Sequence, residues 1–493
     1  MIKIHSLFVK IISIMVCVVV GLSASGIVNA NIAKGAESTS HDNVLTIFSV
    51  EDYINLGDPE NDEPGVLDLF ETENPGVKVN YLTFATNEEM YNELVKDPYS
   101  CDLICPSEYM IMKMMTENLI RPFETPNNFK TYGSEYIKDV FKGLKITDQN
   151  GQVLPLMSED ESTSYAVGYM WGTLGLIYRM DALTEEDLNT WSCLWNKEYD
   201  GRVTIKDSIR DSYFMALAYV YKDELMEAKS LSQEEDDAKK YREKITEIFN
   251  RTDMESVKKV EKALLDLKNN LYGFEVDGGK SDILTGKIDI NVAWSGDAVY
   301  ALYQGLYDEE TEEVLDDPVK LGYAIPEEGA NVWFDGYVMT KNADYDKAIN
   351  FLDFIARPDI AVMNMDYTGY TPCIAGDEVF EYVKESYDVG EGEVEGKEFD
   401  LAYFFGKGGD YKIKVSDFSE QMFMAQFPTE EIINRCAIMQ NFDGEELQRI
   451  NEMWKKVKLV TLSDFAIITI TIVLVLVVVA VATYKIKKKF FLR

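Results

Sequence analysis

"CDLICPSEYMIMKMMTENLI", residues 101–120, decides the fold. Cys101–Pro106 is a short apolar run closed by a proline, the pattern of a strand buried on both faces. After Ser107 the apolar residues fall at helical spacing. A buried strand feeding straight into a helix is part of a strand–helix–strand unit. The same order stands upstream. "VLTIF" (44–48) reads as a strand, "PGVLDLFETENPGVKVNYLTF" (64–84) as a helix, a Pro-Gly break and a strand, and "NEEMYNELVKD" (87–97) as a helix. Alternation of this kind predicts an α/β fold with a parallel sheet and crossover connections. In such sheets ligands bind beyond the carboxyl ends of the strands. Two ends fall at "FSVEDY" (48–53) and "PSEYM" (106–110), each exposing an acid and a tyrosine.

Downstream, "YAVGYMWGTLGLIYR" (165–179) reads as a long extended stretch running between two lobes. "GRVTIKDSIRDSYFMALAYV" (201–220) is again strand then helix, with Asp207 at the cap and Asp211 in the first turn. Helix N-termini favour carboxylates, but capping needs only one of the two. Residues 221–270 carry Glu and Lys at helical spacing and predict solvated helices. In "INVAWSGDAVYALYQ" (290–304) a strand stops at Trp294, a Ser-Gly turn and Asp297 follow, and a helix begins. "VWFDGYVMTKNADYDKAINF" (332–351) repeats the theme with Trp333 and Asp335 ahead of a helix. "YDVGEGEVEGKEFD" (387–400) predicts a surface loop.

A chain of 493 residues implies two or more domains or one bilobal unit. Aromatic residues make up 12% of it, enough for a packed core and too many for a disordered chain. The net charge of −38, from 86 acids and 48 bases, repels nucleic acid and anionic lipid and admits a cation. The two histidines, His5 and His41, both precede the folded region. That excludes Ser-His-Asp and Cys-His catalysis and histidine-based zinc sites. Beyond Cys17 in the leader stand Cys101, Cys105, Cys193, Cys373 and Cys436, with no CxxC. Along a strand Cys101 and Cys105 lie about 13 Å apart, too far to bridge. An odd number argues against a disulfide framework, and a Cys373–Cys436 bond is left open. "GFEVDGGKS" (273–281) departs by one residue from phosphate-loop spacing. No enzyme, cofactor or metal is expected.

Lys3 and Lys10, the apolar run Ile11–Leu22 and the small residues of "IVNA" predict a signal peptide over 1–30. Cleavage after Ala30 and retention as an anchor both fit. Residues 31–43 read as a polar linker. "FAIITITIVLVLVVVAVATY" (465–484) is uncharged throughout, and at about 1.5 Å per residue it crosses a bilayer core of about 30 Å. The basic "KIKKKFFLR" (485–493) places a short tail in the cytoplasm. Residues 31–460 then lie on the extracellular or periplasmic face of the cell membrane, tethered by a single span.

Five predicted strand ends carry acids, aromatics or both: Asp52 with Tyr53, Tyr109, Asp211, Trp294, and Trp333 with Asp335. An aromatic face attracts a cation by about 0.5–2 kcal/mol. A carboxylate about 4 Å away adds roughly 4 kcal/mol at an effective dielectric near 20. Desolvating an ammonium offsets much of this, so tight binding needs several such groups together. A flexible organic polycation suits the set.

Seven motifs in order, "PSEYM", "YMWGTLGLIYR", "WSCLWNKEYDGRVTIKDSIRD", "VAWSGDA", "VWFDGYVMTKNA", "FIARPDIA" and "YTGYTP", resemble those of the spermidine/putrescine-binding proteins that feed ABC importers, a type II periplasmic-binding-protein family. The resemblance covers residues 44–460. It implies a two-lobed α/β fold with an interlobe cleft: lobe one 44–164 with 334–376, lobe two 165–333 with 377–460. It also implies a polyamine ligand and ABC permease subunits as partners. By position, its ligand groups fall on Asp52, Tyr53, Ser107, Tyr109, Asp211, Trp294, Trp333, Asp335 and Tyr370. The two indoles are expected along the alkyl stem, with Asp335 and Asp211 on the amino groups. Asp297 is expected to cap its helix. Val50 stands where the family often has Trp, Ser208 where some members have a second acid, and Val276 where a polar contact is usual. A family Gln aligns ambiguously near Met439 and Gln440. Fewer acids suit a shorter or less charged amine, and the choice between putrescine and spermidine stays open. The alternative is the same fold around another small solute, such as a different amine or a metal chelate.

Overall fold

The computed structural model describes residues 43–459, apart from 59–62, 231–237, 309–310, 312, 391, 393–394 and 443. The predicted leader (1–30) and span (465–484) lie outside the described residues. Among the described residues no helix is long and apolar enough to cross a membrane.

The elements that position the site begin with strand β1 (Val44–Val50), helix α1 (Val66–Glu73), β2 (Lys78–Phe84), α2 (Asn87–Lys96), β3 (Leu103–Ile104) and α3 (Glu108–Thr116). This is the alternation read from the sequence. β3 is buried, β1 alternates buried and half-buried residues, and the edge strand β2 buries only Phe84, while the helices turn their apolar stripe inward, as Val66 and Phe70 do in α1. β4 (Ala166–Arg179) follows, then β5 (Val203–Lys206), α4 (Ile209–Val220), β6 (Leu271–Glu275), β7 (Ile290–Trp294), α5 (Ser295–Leu306), β8 (Leu321–Ala324), β9 (Val332–Met339), α6 (Pro358–Thr368) and β10 (Thr371–Pro372).

These strands form one ten-stranded sheet in the order β6-β5-β7-β4-β9-β3-β1-β2, with β8 and β10 also paired to β4. The sheet is mixed, not parallel throughout. β1 runs parallel to β3, and β5 runs parallel to both β6 and β7. The long strand β4 joins these two groups and is antiparallel to β7, β8, β9 and β10. Its first half, Ala166–Thr173, lies against β9, and its second half, Leu174–Tyr178, against β7. The chain crosses from one group to the other along β4 and returns along β9. Two adjacent crossings in opposite senses must be antiparallel. Thirteen of the fourteen residues of β4 are buried.

Other expectations change in detail. Ser208, not Asp207, caps α4, accepting from the Asp211 amide, while Asp207 pairs with Lys458 at 2.6 Å. Part of the predicted loop 387–400 is a strand, Gly396–Asp400, paired with Lys412–Ser416, because Phe399 packs on Phe423 at 4.8 Å. The five cysteines of the described residues are free thiols, Cys373 and Cys436 included. The "WSCLW" motif is structural: Trp191 donates to the Gly329 carbonyl at 2.8 Å, and Trp195 stacks on Tyr219 at 3.7 Å.

Candidate ligand-binding site

β4 sets two indoles side by side. Trp333 of β9 pairs with Gly172, and Trp294 of β7 pairs with Leu174. Paired residues project to the same face, and so do residues two apart along a strand. The two tryptophans therefore rise from one side of the sheet, flanking β4. Gly172 permits this. A Cβ there would stand 2.7 Å from Cζ2 of Trp333 and 2.3 Å from the Ser295 hydroxyl.

Asp335 shares the face of Trp333. Both lie within β9, not at a strand end as expected. The crossing strand carries its middle past the carboxyl end of β3, where Ser107 and Asp335 form a backbone bridge. Asp335 is buried. Tyr53, at the exit of β1, donates to its Oδ2 at 2.6 Å, while its Oδ1 meets no hydrogen-bond partner. Burial pushes the Asp335 carboxyl up to about 6, outweighing the Tyr53 hydrogen bond and the nearby Ser107 hydroxyl.

Tyr370 closes the aromatic floor. Its ring meets Trp333 edge to face at 5.4 Å and Tyr53 at 5.9 Å. It lies flat on Gly296, where a Cβ would come within 2.3 Å of the ring. Its hydroxyl donates to Asp297 Oδ1 at 3.4 Å. Asp297 is therefore not a helix cap. It is buried between two lysines, Lys206 at 3.0 Å and Lys280 at 3.2 Å. Lys206 also pairs with Glu275 at 3.0 Å and holds its charge despite burial, its pKa raised by these two carboxylates.

Resident cations already use two of the aromatic faces. The Lys206 ammonium stands 4.3 Å from the Trp294 ring centre. The Arg210 guanidinium lies 3.7 Å over Tyr109 and 4.3 Å from Phe442, with a hydrogen bond to the Gln440 carbonyl. The Tyr109 hydroxyl donates to Glu88 at 3.2 Å. Arg210 and Tyr109 join α4 to α3, so they bridge the two strand groups.

Residues 66–377 match the bacterial extracellular solute-binding protein family. The chain belongs to that family. As a solute-binding protein it is 24% identical over 350 residues to the spermidine/putrescine-binding periplasmic protein of Escherichia coli, spanning 70% of this chain and 82% of the relative. It is likewise 24% identical over 339 residues to the putrescine-binding periplasmic protein of the same organism, spanning 66% and 76%. Among solved structures, the spermidine/putrescine ABC transporter substrate-binding protein of Streptococcus pneumoniae shares the fold with a TM-score of 0.54 at 22% identity, covering 84% of this chain and 98% of that one. The Treponema pallidum Tp0655 lipoprotein does so with a TM-score of 0.55 at 18% identity, covering 84% and 99%.

In this solute-binding protein the structure gathers Tyr53, Ser107 and Tyr370 around the buried Asp335 carboxylate, with Trp333 against Tyr370. Asp211 joins from α4: it is buried and accepts from the Trp294 indole N–H at 3.3 Å. Burial raises the Asp211 carboxyl above its usual range, against the Ser208 and Trp294 hydrogen bonds. Asp52 stays apart, exposed on a turn with φ of 50°. Ser107 is held by Asn87, whose amide donates to its hydroxyl at 3.1 Å. Val276 is exposed, and its carbonyl accepts from Lys206 at 2.9 Å. Two groups, Lys206 and Arg210, carry no mark in the sequence, and Glu108, the acid expected to be exposed at the "PSEYM" strand end, is instead buried.

Proposed function

We propose that this solute-binding protein captures a polyamine, putrescine or spermidine, and delivers it to an ABC importer. The carrying observation is Asp335: one oxygen fixed by Tyr53, the other buried without a hydrogen-bond partner on the strand face that carries Trp333. An ammonium supplies that donor and the compensating charge, and the indole face offers the alkyl stem a dry wall. Among the described residues no group of His, Cys, Asp or Glu is placed to hold a metal ion. Separated carboxylates suit a ligand with charge at both ends. The names of the relatives, spermidine/putrescine-binding and putrescine-binding, point the same way.

On this reading lobe one comprises 44–164 with 334–376 and lobe two 165–333 with 377–460. Ligand contacts favour the closed arrangement in which Asp335 and Tyr53 face Asp211 and Trp294. Closed protein docks on permease subunits supplied by other chains. Residues 465–484 hold it to the outer face of the membrane. Titration calorimetry of the full-length chain with putrescine and spermidine tests the reading. Saturable binding at micromolar concentration or below is expected with at least one amine, and absence of heat with both overturns it.

A further inference from the structure

We infer that Glu108 is a further ligand carboxylate, and that it sets the charge accepted by the cleft at two, that of a diamine. The inference rests on the polyamine reading above and deepens it. Glu108 opens α3 directly after Ser107, the residue bridged to Asp335. A first-turn Glu facing water is accounted for by the helix dipole. Glu108 is instead only 1% exposed, and its Oε2 has no donor within the protein. A buried acceptor left open costs stability unless something fills it.

The groups that face Glu108 are Asp335 from β9 and Arg210 and Asp211 from α4. Burial and then the Asp335 charge drive the Glu108 carboxyl well above its usual range, and Arg210 only partly opposes them. The Arg210 guanidinium is committed to two rings and the Gln440 carbonyl. Lys206 and Lys280 are committed to Glu275, Asp297 and Asp277. Among the buried and half-buried groups Lys206 and Lys280 balance Glu275 and Asp297, while Glu108, Asp211 and Asp335 are set against Arg210 alone, leaving two negative charges uncompensated; Glu88 beside Arg210 and Asp277 beside Lys280 are exposed and screened by solvent. A dication neutralises them. A monoamine leaves one unmatched, and a triamine brings one cation more than these buried carboxylates neutralise.

The test uses the full-length chain, wild type and Glu108→Gln, titrated at pH 7.5 with putrescine, spermidine and 1-aminobutane in two buffers of different ionisation heat. The wild type is expected to bind putrescine at least tenfold more tightly than the other two amines and to release protons as it does so. Glu108→Gln is expected to lose at least tenfold in putrescine affinity and to release fewer protons, while melting no earlier than wild type. If the variant melts early, Glu108→Asp, which keeps the charge, is read for the diamine preference instead, and loss of that preference overturns the inference. Putrescine affinity within twofold of wild type in Glu108→Gln, or a wild type that prefers spermidine, also overturns it. Failure of the wild type to bind any of the three overturns the polyamine reading itself.

Discussion

Tyr53 donates its phenolic hydrogen to Asp335 Oδ2 at 2.6 Å, fastening the exit of β1 to the middle of β9 across 282 residues of sequence. The bond occupies one oxygen of the carboxylate and leaves the other free for a ligand. Tyr53→Phe removes the donor and retains the ring, which packs edge to face on Tyr169 at 5.2 Å and on Tyr370. A hydrogen bond to a charged group contributes about 1.5–3 kcal/mol. Equilibrium titration of the variant should show amine affinity reduced roughly 10- to 100-fold, with a cooperative melt retained.

Asp335 gives the apoprotein and the complex opposite responses to pH. Its carboxyl stands near 6 in the fold against 3.8 for the free side chain. The folded state therefore holds the proton more tightly than the unfolded chain. The resulting stabilisation is fully present below about pH 4 and is lost as pH rises through 6, a change on the order of 3 kcal/mol. A cationic ligand prefers the ionised carboxylate, so affinity should rise over the same interval. Thermal melts at pH 5 and pH 7.5 check both: ligand-free Tm falls as Asp335 ionises, and the amine-induced increase in Tm grows.

Lys206 supports the site from beneath. It is only 1% exposed and is shared by Glu275 and Asp297. Lys206→Met leaves two buried carboxylates, of which Asp297 keeps Lys280 and Glu275 loses its lysine partner. Loss of one partner from a buried charge network destabilises by about 3–5 kcal/mol. Denaturant unfolding should show this loss, and a variant as stable as wild type would contradict the assignment of Asp297 to a structural network.

Gly172 is a packing requirement. Adding a methyl group places carbon 2.7 Å from the Trp333 ring and 2.3 Å from the Ser295 hydroxyl, so both must move. Gly172→Ala is expected to destabilise by about 1–3 kcal/mol and to displace the indole. Tryptophan fluorescence should shift and amine affinity should fall together.

Much of this architecture is legible locally. An apolar run such as Leu103–Ile104 followed by helical spacing from Glu108 needs no distant partner to be read, and Trp294 does end its strand. Register is not local. Trp333 and Asp335 sit within a strand and not at its end because β9 lies antiparallel to β4 and β3, an arrangement fixed by residues more than 150 positions away. Arg210 and Lys206 occupy aromatic faces on Tyr109 and Trp294 that their own neighbourhoods do not reveal. Glu108 resembles any helix-opening acid until α4 covers it. Patterning locates the strand ends, but which charges are already compensated emerges only from packing.

The most direct test is a crystal structure of the protein grown with putrescine. One ammonium should lie within hydrogen-bond distance of Asp335 Oδ1, with the carbon chain along Trp333. A saturated complex whose electron density puts the amine elsewhere, leaving that oxygen and the indole untouched, would contradict the account.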